Sequence, residues 1–137
     1  MVEQKDIKGL SEAEKEMLIL ELQQKLEVVE KERTQLEQRL ALHQRWSRLR
    51  GKLFPTDCRG KVVNRISIDL LEADFFGCIT TFTTRGKLNA EQMQYLVATC
   101  EKLNSVVDDL QGYSGYYFRQ LGLIGSLILE FEQRYPK

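Results

Sequence analysis

Histidine is all but missing from this chain: His43 is the only one among 137 residues. That excludes the commoner zinc sites and leaves no Cys–His or Ser–His pair with a base free to serve it. Cysteine is sparse as well. Cys58, Cys78 and Cys100 are odd in number and widely spaced, with no CxxC among them, so neither a disulfide framework nor a zinc ribbon is expected. They read as small apolar residues in a reducing compartment, and the expected location is cytoplasmic. No GKS or GKT follows the glycines, which excludes a phosphate loop. The longest apolar run, Leu121 to Leu129, is about half of the ~20 residues that cross a bilayer, and no membrane span is expected. Lys plus Arg and Asp plus Glu number 20 each, so net charge gives no pull toward nucleic acid or an anionic surface. Low-complexity segments and internal repeats are absent too. No catalytic, cofactor or metal set emerges, and the chain reads as non-enzymatic.

Proline and glycine are lacking over one long stretch. From Ser11 onward no glycine occurs before Gly51 and no proline before Pro55. Ser11 and Glu14 form a capping-box pair, and Glu12, Glu14 and Glu16 suit the positive end of a helix dipole. The spacing predicts one helix over residues 11–53, after a flexible start at residues 1–10. Glu21–Lys25 and Glu27–Lys31 are expected i,i+4 ion pairs. Within this helix Ile19, Leu22, Leu26, Val29, Leu36 and Leu40 recur about every 3.5 residues, the heptad pattern of a coiled coil. With Ile19, Leu26, Arg33 and Leu40 at a, the d positions are Leu22, Val29, Leu36 and His43. Different registers precede and follow, which limits the seam to about four heptads. Arg33 at a and His43 at d restrict register and strand number, so a homodimer is favoured. Antiparallel pairing, another partner chain, or folding back onto the chain's own C-terminal domain are the alternatives.

Gly51, Pro55 and Gly60 break the helix, and residues 54–61 read as a hinge. Residues 62–137 are expected to form a small three-helix bundle, making the protein all-α. The first bundle helix is placed at Val62–Thr84, although Ile66 to Leu70 also alternate and Ile79 to Thr84 favour strands. Arg85-Gly86 supplies its stop. Asn89 with Gln92 caps the second helix, whose Met93, Leu96, Val97, Cys100, Leu103, Val107 and Leu110 face inward. Gly112 closes it. The third begins at Ser114 or Gly115 and turns Leu121, Ile124, Ile128, Phe131 and Tyr135 inward, with Gly122 and Gly125 allowing another helix close.

Three clusters invite a functional reading. Tyr113, Tyr116, Tyr117 and Phe118 crowd one helix start; some pack inside and a surplus suits a protein interface. Arg45, Arg48 and Lys52 share a helix face inside a basic segment, Arg45 to Lys61, suited to phosphate or nucleic-acid contacts, or simply to a solvated face. Trp46, Leu49 and Leu53 lie on another face, so the tryptophan is a packing residue. Asp69, Glu72 and Asp74 carry no histidine near them and read as a solvated acidic face. The leading expectation is an oligomerising interaction or adaptor protein that presents its C-terminal domain to a protein partner. The alternative is a nucleic-acid-binding regulator using the Arg45–Lys61 segment.

Overall fold

Among residues 9–136, which the computed structural model describes, four α-helices carry the fold. The flexible start expected for residues 1–10 lies, as far as residue 8, outside them. Helix α1 spans Glu12–Arg50. Its entry is the expected capping box: the Glu14 amide donates to Ser11 Oγ at 3.2 Å, and the Ser11 amide reaches Glu14 Oε1 at 3.5 Å. Two short strands, β1 (Val62–Val63) and β2 (Ile66–Ser67), pair antiparallel in the register Val62 with Ser67 and Val63 with Ile66. Then come α2 (Ile68–Arg85), α3 (Ala90–Val106) and α4 (Gly112–Arg134).

The chain divides into two compact units, Met1–Glu37 and Gln38–Lys137. The division falls inside α1, not at the expected hinge. Residues 54–61 are instead fastened to α4. Pro55 and Cys58 are buried, the Ser114 hydroxyl donates to Asp57 Oδ1 at 2.7 Å, and the Tyr113 hydroxyl donates to the Leu53 carbonyl. The helix ends at Arg50 and leaves Leu53 85% exposed, so Leu53 does not continue the Trp46–Leu49 face.

The expected helix from Val62 begins six residues later. Asn64 and Arg65 take left-handed φ values of 50° and 66°, which turn the chain back as a tight hairpin. Asparagine tolerates that conformation, and the Asn64 amide anchors the turn by donating to the Ser105 carbonyl at 3.0 Å. Here the alternation at Ile66 prevails over helical spacing. Ser67 then caps α2, accepting from the Leu70 amide at 3.3 Å. The β-branched run that follows stays helical as expected; the Thr81 and Thr83 hydroxyls donate to the Gly77 and Ile79 carbonyls one turn back. Gly86, at φ 77°, closes α2 in the left-handed conformation that glycine adopts without steric cost.

Asn89 and Gln92 form a complete capping box at the start of α3. Its buried face is Leu96, Thr99, Leu103 and Val106, whereas Val97 stays 42% exposed. α3 stops short of Gly112, in a 3₁₀ turn at Val107–Asp109, and α4 starts at Gly112, before the expected Ser114.

α2, α3 and α4 pack on one another, and the three-helix bundle is completed by a fourth piece. Leu42, Trp46 and Leu49 of α1 belong to the same buried cluster as Phe75, Phe82, Leu96, Phe118, Ile124 and Ile128. Trp46, only 4% exposed, meets Phe76 edge-on at 4.7 Å between ring centres. Arg39 adds to this anchoring, donating to the Gly86 carbonyl at 3.2 Å and lying over the Phe131 ring. The expected close approach at Gly125 is present. A Cβ there would meet Phe75 at 3.0 Å, Cys100 at 3.2 Å and Leu96 at 3.3 Å, so three helices converge on the space a side chain would fill. Gly122 faces Leu103 in the same way, at 2.6 Å.

Candidate functional site

In the first unit α1 turns its apolar row outward. Ile19, Leu22, Leu26, Val29 and Leu36 are 55–63% exposed, and no residue from Glu12 to Glu37 is buried. Met17, Leu20 and Val28 are exposed beside them. Leu40, the last of the row, is exposed in the second unit, and His43 is half-buried there. The i,i+4 pairs Glu21–Lys25 and Glu27–Lys31 do not form within 4.0 Å; the contacts made are Lys15–Glu12 and Arg33–Glu37. Each such exposed pair stabilises a helix by only ~0.3–0.5 kcal/mol, too little to hold two long side chains in one geometry. A helix of this composition gains most of its stability by packing an apolar face, and this part of α1 has none packed.

The aromatic cluster divides. Tyr117 and Phe118, expected as partner-surface candidates, are 1% and 0% exposed and belong to the core. They sit one turn above Ser114 on the face of α4 that meets Phe54, whose ring stands edge-on to both. The Tyr117 hydroxyl donates to Glu72 Oε2 at 2.7 Å. Tyr113 and Tyr116 remain 45% exposed and stack on each other with ring centres 6.3 Å apart. The exposed part of this aromatic cluster therefore consists of those two.

The basic segment divides as well. Arg45, Arg48 and Lys52 come together along one cleft, whereas Arg50 lies over Trp46 and Arg59 over Phe54. The three acids go three ways. Asp69 accepts from the Gly60 amide, Glu72 from Tyr117 and Asp74 from the Tyr95 hydroxyl. Among the described residues no group of three His, Cys, Asp or Glu side chains could hold a metal ion, and no helix is long and apolar enough to cross a membrane.

The thiols are free. Burial, and after it the neighbouring Cys78 and Glu101, pushes the Cys100 thiol up from 9.0 to about 11. Burial and Asp74 raise Cys78, and burial with the Glu72 hydrogen bond raises Tyr117. All three groups hold their protons more tightly when folded, so the unfolded chain releases protons first as pH rises. The stability that this contributes is complete below about pH 9 and declines toward pH 11. The melting temperature is expected to fall across that window, and less steeply in Cys100→Ala. A midpoint that stays level from pH 8 to pH 11 contradicts this.

Sequence reasoning found the apolar row and the Arg45–Arg48 pair, because both follow from helical spacing on one element; Lys52, expected on the same helix face, joins the cleft from just past the helix end. It did not find Tyr116 and Gln120 as the opposite wall of the cation cleft, since no local pattern links α4 to the end of α1. Compared with protein-family models, curated proteins and solved structures, the chain matches none.

Proposed function

We propose that this protein is a non-enzymatic, self-associating interaction protein. Two copies pair through the heptad row of α1 as a coiled coil, and the C-terminal unit is displayed to a protein partner through Tyr113 and Tyr116. The observation that carries this reading is the unburied length of α1 from Glu12 to Glu37, with five seam residues more than half exposed. Contiguous exposed apolar surface of this kind marks interaction sites in stable proteins. A second helix laid along the row would bury Ile19, Leu22, Leu26, Val29 and Leu36 together, as knobs into holes.

In a parallel pair the flanking charges are mixed. Lys25 of one copy faces Glu30 of the second copy and attracts it. Glu32 faces Glu37 of the second copy, and Arg33 Nε, 3.5 Å from Glu37 Oε1 in its own chain, offsets that repulsion.

Light scattering after size exclusion, across a range of concentrations, tests the reading. The expected result is twice the chain mass, held on dilution. The mass of a single chain at every concentration overturns it.

A further inference from the structure

A second site stands independently of the seam. Arg45 and Arg48 on α1, and Lys52 just past its end, line a cleft of about 460 Å³ whose other wall is Tyr116 and Gln120 of α4. Leu49, buried, lies between the two cation-bearing turns. No carboxylate lines the cleft, and none pairs with any of the three cations among the described residues. Their positions are only partly explained by the helix itself. Arg48 donates from Nε to the Gln44 carbonyl and sits in the last turn, where the dipole favours a cation. Arg45 lies a turn too early for that, and Lys52 Nζ is drawn over the Tyr116 ring, 5.7 Å from its centre.

Three unpaired positive charges around one concavity repel one another, and an anion removes that repulsion. The concavity lies within the ~300–1,000 Å³ range of small-molecule sites and exceeds what a bare phosphate fills. Arginine forks match phosphate oxygens two at a time, the lysine adds a point charge, and Gln120 offers both a donor and an acceptor. Tyr116 and Leu49 supply apolar contact beyond the charges.

We infer that this cleft binds the phosphate of a small organic phosphate monoester, the three cations holding the dianion and Tyr116 contacting the organic body. The full-length chain is titrated calorimetrically at low ionic strength with phenyl phosphate, with inorganic phosphate, and with a single-stranded oligonucleotide series of increasing length. Phenyl phosphate is expected to bind more tightly than inorganic phosphate, and both to weaken as salt rises. Arg48→Gln and Lys52→Gln are each expected to weaken phenyl phosphate about tenfold, the loss of one charge-assisted contact. Tyr116→Ala is expected to remove only the advantage of phenyl phosphate over inorganic phosphate. These side chains are exposed, so unchanged melting curves confirm that each variant folds. The proposal is overturned if neither small probe binds, if both cation variants bind phenyl phosphate like the parent, or if affinity resides in the oligonucleotides and grows with their length. The last result assigns the cations to an open nucleic-acid track.

Discussion

Replacing Leu26 and Leu36 together with aspartate is expected to convert a dimer into a monomer while leaving the C-terminal unit folded. Both leucines are more than half exposed in the single chain, so neither change removes a contact within it. In the pair each leucine contributes about 1.5–3 kcal/mol of burial. Two lost from each of two chains amount to at least about 6 kcal/mol, or roughly four orders of magnitude in the dissociation constant at about 1.4 kcal/mol per decade. The introduced carboxylates add to this, because each would be desolvated opposite its own copy. Light scattering at a concentration where the parent is dimeric reads the mass, and the thermal midpoint reports on the C-terminal unit. A double variant that keeps the parent's mass rules out the seam, whatever the parent's own stoichiometry.

The second large effect concerns where the folded domain begins. A chain starting at Gln38 is expected to fold with the cooperativity of the full protein; one starting at Phe54 is expected not to. The longer piece retains Leu42, Trp46 and Leu49, each no more than 5% exposed, and the Arg39 contacts to Gly86 and Phe131. The shorter one opens the core along the face where those three side chains sit. Removing a buried tryptophan costs about 3–5 kcal/mol and a buried leucine about 2–5. Three such losses are comparable to the ~5–15 kcal/mol by which a small domain is stable. Trp46→Ala in the full chain isolates one part of this and is expected to lower unfolding free energy by about 3–5 kcal/mol in a denaturant titration followed by circular dichroism. Cooperative unfolding of the 54–137 piece at the parent's midpoint excludes α1 from the domain core.

If the seam and the cation cleft both operate, pairing of two chains places two phosphate sites in one assembly, one carried by each C-terminal unit. The variants separate the two properties. Leu26→Asp with Leu36→Asp leaves Arg45, Arg48 and Lys52 in place, and Lys52→Gln leaves the apolar row intact.

Much of this protein was determined locally and could be read without a structure. The capping boxes at Ser11 and Asn89, the left-handed stop at Gly86, the heptad spacing from Ile19 to Leu40 and the small residues Gly122 and Gly125 on one helix face each depend on a few neighbouring residues and one helical period. Where two local signals competed, tertiary contacts chose between them. At Ile66 to Leu70 helical spacing and alternation were both present; Ile66 and Ser67 pair in the hairpin that Asn64 anchors on Ser105, whereas Ile68 to Leu70 open α2. At the start of α4 four aromatics had equal claim to the surface; the positions of Phe54 and Glu72 drew Tyr117 and Phe118 inward and left Tyr113 and Tyr116 outside. The glycines and proline after Arg50 suggested a hinge because they end a helix. Whether a break is mobile depends on what the broken segment touches, and Asp57, Pro55 and Cys58 are held against the domain. The last turns of α1 looked like more of the same helix, since periodicity marks an apolar face without naming its partner. Only the packed structure assigns Leu42, Trp46 and Leu49 to the core and leaves Leu26 and Leu36 exposed, because burial depends on the residues brought near from elsewhere in the sequence.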